Sequence, residues 1–196
     1  MRGADLLAWL SALPPDARDR AIEERLGLAP PPPECVGPPG EHLIGYHASG
    51  VAPILRAIAE VPVTATDVVV DLGAGLGKVV LLAHLLTGAK ARGIEIQTAL
   101  VDRARASAAR LGADVHFTCA DARDANLDDG TVFFLYAPFT GPVLADVVRR
   151  LHAVAEKHAI TVCALGVDID RDAPWLVARP IDSFWLTIYD AGTLAP

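Results

Sequence analysis

The sequence predicts a three-layer α/β fold, a mostly parallel sheet between helices with an antiparallel hairpin at its C-terminal end. Three observations carry that prediction. From Ser49 onward, short β-branched and apolar runs alternate with helical patterns, as parallel strands joined by crossover helices require. The first of those strands runs directly into a glycine-rich turn that opens a helix. After Leu165 the alternation stops, and two apolar runs follow with too few residues between them for a helix.

Taken in order, Asp5 to Leu13 predicts a helix with Leu6, Leu7, Trp9, Leu10 and Leu13 on a broad apolar face. Pro14-Pro15 ends it, and Asp16 to Leu26 forms a second. Ala29-Pro30-Pro31-Pro32-Pro33 is a stiff extended linker, and Gly37-Pro38-Pro39-Gly40 a second break. Two units follow from this: an N-terminal helical segment with its proline-rich linker over 1–40, and a main domain over 41–196. Within the main domain, Ser49 to Glu60 is an amphipathic helix with Val51, Ile54, Leu55 and Ile58 inward. A strand over Asp67–Asp71, a helix over Gly77–Leu86, a strand over Ala91–Glu95 and a helix over Thr98–Leu111 come next. Strands at Val115–Thr118 and Thr131–Tyr136 precede a long helix, Gly141–His158, whose first turn accepts Pro142, and then a fifth strand at Ile160–Leu165. Trp175–Ala178 and Phe184–Tyr189 are the arms of the closing hairpin, with Trp175 and Trp185 packing it.

Composition narrows the function. Apolar residues make up 52% and charged residues 21%, which suits a packed core and excludes a disordered chain. No apolar run reaches the roughly 18 residues of a membrane span, so no membrane partner is expected and the cytoplasm is the default location. The net charge of -7 and the interleaving of acids and bases, as in Asp16-Ala17-Arg18-Asp19-Arg20, argue against a nucleic-acid substrate, whose phosphates ask for a basic stripe. The three cysteines, Cys35, Cys119 and Cys163, form no CxxC pair, and Cys119 and Cys163 read as small core residues. No His or Cys spacing marks a metal site, and no GxSxG elbow is present.

The chemistry is concentrated in Val68-Val69-Val70-Asp71-Leu72-Gly73-Ala74-Gly75-Leu76-Gly77-Lys78. Glycines at 73 and 75 permit backbone conformations and close approaches that a β-carbon blocks. The ligand belongs at the carboxyl end of this strand, before the helix N-terminus. A nicotinamide fingerprint needs glycine at 78, where Lys78 stands, and a P-loop needs glycine at 72 and Ser or Thr at 79, where Leu72 and Val79 stand. Asp71, two residues before the glycines, suits a cationic head group and repels a pyrophosphate. This arrangement resembles the first motif of class I S-adenosylmethionine (SAM)-dependent methyltransferases, and the resemblance implies a Rossmann-like sheet and SAM as cofactor.

Carried over residue by residue, the resemblance places Asp71, Gly73, Ala74, Gly75 and Gly77 around the methionine end of SAM. Glu95 and Ile96, after the second strand, fall on the ribose, and Asp121 and Ala122, after the third, on the adenine. The fourth strand ends in Tyr136-Ala137-Pro138-Phe139, a variant of the family's Asn/Asp-Pro-Pro-Tyr/Phe motif in which the polar residue and first proline are replaced. Tyr136 there borders cofactor and acceptor, and Tyr46, Tyr136 and Phe139 are the candidates for a catalytic pocket, with His47 beside them. The likeness covers Tyr46 to Ala191 and is closest to small bacterial methyltransferases related to the non-SET protein-lysine methyltransferases. It implies a protein amine, lysine-like, or a small molecule as acceptor. The alternatives are an NAD(P)-dependent oxidoreductase and a non-catalytic SAM-binding scaffold. Lys78 is expected in solvent, His84 as a satisfied core histidine, and the N-terminal helices as a lid over the cofactor. Oligomeric state has no signature in the sequence.

Overall fold

The computed structural model describes residues 1–192; positions 193–196, the end of the expected domain, lie outside the described residues. Among the described residues there are six α-helices: α1 (Gly3–Ala12), α2 (Arg18–Leu26), α3 (Val51–Glu60), α4 (Lys78–Thr87), α5 (Thr98–Leu111) and α6 (Gly141–Ala155). The seven strands are β1 (Val68–Leu72), β2 (Lys90–Glu95), β3 (Val115–Cys119), β4 (Val132–Tyr136), β5 (Ile160–Leu165), β6 (Val177–Ala178) and β7 (Leu186–Ala191). They form one sheet in the order β3-β2-β1-β4-β5-β7-β6. The first five are parallel, while β7 runs antiparallel to β5, and β6 to β7. The expected Rossmann-like α/β sheet with its antiparallel C-terminal hairpin is thus present.

Alternation along each strand decides which helix it meets. Val69, Ala91, Val115, Phe117, Val132 and Phe134 share one core with residues of α1 to α5. Val70, Leu72, Ile94, Phe133, Leu135 and Val162 share the other, and its helix is α6. The second face is finished by loop residues such as Leu127, Ile169 and Ala173, because the segments after β3 and β5 form turns and a short 3-10 helix in place of α-helices.

Several sequence expectations are corrected. The long helix ends at Ala155, not His158, and the first hairpin arm shrinks to two strand residues. Phe184 is fully exposed and Trp185 is 54% exposed, so neither packs the hairpin; Trp175 instead stacks on His152 of α6 at 4.7 Å. β7 begins only at Leu186, which leaves Phe184 and Trp185 on the bend before the strand. Cys119 is exposed, since β3 is an edge strand and ends there, while Cys163 in β5 is buried. His84 Nδ1 meets the Ala89 carbonyl at 2.9 Å, but its buried Nε2 has no partner.

α1 and α2 lie on the α4 side of the sheet and bury Leu6, Leu10, Ile22 and Leu26 in its core. α4 is apolar on nearly every side, from Val79 through Leu85, and can bury one face on β1 and another under α1. Leu7 remains 47% exposed, and Trp9 carries Arg25 over its ring at 5.2 Å. No residue of either helix lines the cavity described below, so they are not the lid.

Candidate active site

β1 and β4 are adjacent in space, but the chain leaves them in opposite directions across the sheet, which opens a crevice at their carboxyl ends. A cavity of about 300 Å³ occupies it, at the low end for a small-molecule site. Its floor is the glycine turn after β1, its sides come from the ends of β2, β3 and β4, and its cover is a strap of irregular chain between Pro39 and Ser49.

The turn is held by backbone. Gly73 and Ala74 both donate to the Ile94 carbonyl, at 2.9 and 3.0 Å, and Gly77 donates to Ala74 at 2.8 Å. Gly73 has φ +84°, and a β-carbon there would stand 2.4 Å from Cβ of Pro138. Gly75 has φ +53°, and its β-carbon would stand 2.6 Å from the Tyr46 ring. Both glycines are therefore required by conformation and by contact.

Asp71 and Glu95 are buried side by side at the ends of adjacent strands. Glu95 accepts the Gly75 N–H at 2.9 Å on one oxygen and the Gln97 N–H at 2.8 Å on the other. A carboxylate has further lone pairs, so it can still receive hydroxyl donors from the cavity. Burial, with the Glu95 charge adding to it, pushes Asp71 up to about 8. A cation placed beside it would favour its carboxylate form. Asp121 is held below the usual carboxylate range, chiefly by the Arg123 side chain, and also accepts the Arg123 N–H at 2.8 Å. It caps its turn and lines the cavity at once.

The cavity brings together nearly the whole predicted set: Asp71, Gly73, Ala74, Gly75, Glu95, Ile96, Asp121, Ala122, Tyr46, His47, Tyr136 and Phe139. Gly77 does not line it; it has φ +82° and caps α4. Tyr136 is 38% exposed at the rim, and Phe139 is buried in the wall. Burial pushes Tyr46 up to about 12, so its hydroxyl is a donor at neutral pH and no base. Ala137 takes φ +38° and donates its N–H to the Leu165 carbonyl. Proline, fixed near −65° and lacking that N–H, does not fit this backbone, where the family motif has its first proline.

The sequence did not point to Leu43, Ile44, Gly45 or Ser49 in the strap, nor to Gln97 and Gly166, whereas Pro138 came with the fourth-strand motif. The strap is tied to the β4 end by the Leu43–Phe139 bridge, by Ile44 N–H to the Pro138 carbonyl at 3.0 Å and by Thr140 N–H to the His42 carbonyl at 2.9 Å. Gly45 is fixed by close approach: a β-carbon there would lie 2.1 Å from the Val36 carbonyl. Lys78 overturns its expectation outright. It is 5% exposed, with Nζ 2.5 Å from Glu23, 3.2 Å from Asp19 and 2.7 Å from the Ser49 carbonyl. Its partners are distant in sequence, and no local pattern announces them.

A glycine floor that a β-carbon would fill and a buried acid lacking a cation fit the amino-acid end of SAM, and the Glu95 carboxylate fits its ribose. Residues 69–158 match the family model described as a methyltransferase domain. Residues 69–158 thus form a SAM-dependent methyltransferase domain of the class I kind. That match sets aside the nicotinamide alternative. Among solved structures, this methyltransferase is similar to an RNA methyltransferase from Salinibacter ruber in complex with S-adenosyl-L-homocysteine: 28% identity, 76% of this chain and 97% of that one, TM-score 0.61. A Pyrococcus horikoshii protein at 16% identity shares the fold over 91% of this chain and 98% of its own, with TM-score 0.63. An uncharacterised protein of Methanocaldococcus jannaschii is 38% identical over 58 residues, 30% of this chain and 26% of that protein, so the match spans about a quarter of that relative. No helix among the described residues is long and apolar enough to cross a membrane.

Proposed function

We propose that the protein transfers the methyl group of SAM to a slender amine, such as a lysine side chain of a protein or a small-molecule amine. The observation that carries this reading is the aromatic wall of Tyr46, Tyr136 and Phe139 beside the glycine turn. SAM supplies an electrophilic methyl on a sulfonium, and the protein's task is to align a neutral nucleophile with it, a contribution of up to roughly 7–11 kcal/mol. Deprotonating a lysine at pH 7 costs about 4.6 kcal/mol from its ordinary value of about 10.4. An apolar, aromatic surround lowers that cost by disfavouring the ammonium. Asp71, Gly73, Ala74, Gly75 and Gly77 hold the methionine end, directly or through the turn. Glu95 and Ile96 take the ribose, and Asp121 and Ala122 the adenine edge.

One observation favours a second reading. The Salinibacter ruber protein, similar over most of this chain, is described as an RNA methyltransferase, and aromatic rims also stack bases. The net charge of -7 weighs against it. Transfer from methyl-labelled SAM to separated protein, small-molecule and RNA fractions decides between them. We expect label in an amine-bearing fraction, lost on Tyr136→Ala or Tyr46→Ala while S-adenosylhomocysteine still binds. Label confined to RNA supports the second reading. Cofactor binding without label in any fraction returns the scaffold alternative.

A further inference from the structure

Lys78 stands where a lysine is least expected. It is the first residue of α4, where the helix dipole is positive, and it is buried. Such an ammonium persists only with its donors fully used. Its three partners come from two segments: Asp19 and Glu23 from α2, which does not reach the cavity, and the Ser49 carbonyl from the strap that covers it. Asp19 also accepts the Val51 N–H at 2.9 Å, so the same carboxylate holds the first turn of α3. Glu23 lies close enough to Tyr46 for its charge to help raise that hydroxyl.

Lys78 and Ser49 line the cavity, whereas Asp19 and Glu23 do not. We propose that Asp19 and Glu23 are positioning residues for the methyl donor, acting through Lys78. The clasp sets the first turn of α4 behind the glycines and anchors the strap that lays Tyr46 on Gly75. The N-terminal helical pair is then part of the cofactor site without touching the cofactor. Because coupling between two sites is reciprocal, cofactor binding must in turn hold α2 down.

The inference rests on SAM as the cofactor, and its test needs no acceptor. S-adenosylhomocysteine affinity is measured by calorimetry on the full chain and on Lys78→Met, Lys78→Arg, Glu23→Gln and Arg20→Ala. Amide exchange across Arg18–Leu26 is followed with and without S-adenosylhomocysteine. Arg20 lies exposed on the same helix and serves as the control. We expect Lys78→Met and Glu23→Gln to weaken binding about tenfold, Lys78→Arg to recover part of the loss, and Arg20→Ala to match the parent. We also expect the ligand to slow exchange in α2, and to do so less in Glu23→Gln. A folded Glu23→Gln chain that binds within about twofold of the parent, with α2 exchange indifferent to ligand, overturns the proposal even if Lys78→Met fails to fold. Failure of the parent chain to bind S-adenosylhomocysteine would instead count against the cofactor.

Discussion

Asp71 holds a proton that its ligand must displace. Its ordinary value is 3.8, and burial raises it to about 8 in the folded chain. The folded state thus binds the extra proton between those values. Stability from this group is full below about 3.8 and is lost as pH climbs toward 8. A cationic amino group beside Asp71 favours the carboxylate, so binding releases a proton. S-adenosylhomocysteine affinity is expected to rise by close to one log unit per pH unit between about pH 6 and 8, then level off. Calorimetry in buffers of different ionisation enthalpy reads the proton directly, and Asp71→Asn should abolish both the release and the slope. Ala137, at φ +38°, makes a second residue-scale prediction. Left-handed backbone costs an L-residue roughly 1–2 kcal/mol, so Ala137→Gly should raise the melting temperature by about 2–8 °C. Asp71, the glycines and Glu95 were legible because each is fixed by its own strand end and turn. Lys78 was not, because only the fold brings Asp19 and Glu23 to it.

At the scale of elements, the C-terminal hairpin is fastened by Arg179. Its guanidinium donates to both oxygens of Asp190, at 2.6 and 2.7 Å, and to the Glu60 carbonyl at the end of α3, at 2.7 Å. The Arg179 side chain holds Asp190 below its ordinary 3.8. A lowered acid contributes stability above its unfolded value and loses it as pH falls through the folded one. Arg179→Met should therefore melt earlier than the parent at pH 7, with the gap narrowing in parallel thermal scans as pH falls through the folded value of Asp190. The periodic elements were read within a few residues of their ends, because burial on one or both faces writes a period into the sequence. α5 and β5 match their expected bounds, whereas the strap over 39–49 has no period and could not be placed.

At the scale of the molecule, α1 and α2 share the core of the main sheet. Fully burying one Leu or Ile contributes about 1.5–3 kcal/mol. Leu6, Leu10, Ile22 and Leu26 together rival the roughly 5–15 kcal/mol margin of an ordinary domain. A chain beginning at Ala29 is expected to aggregate or to lose cooperative melting, while the full chain unfolds in one transition by calorimetry and circular dichroism alike. The burial of α1 under α4 also bears on synthesis. Leu6, Trp9 and Leu10 are synthesised well before α4, the helix that α1 packs against. Throughout that interval the nascent chain carries an uncovered greasy helix. Its early life thus depends on whatever shields apolar segments at the exit tunnel until the matching surface arrives.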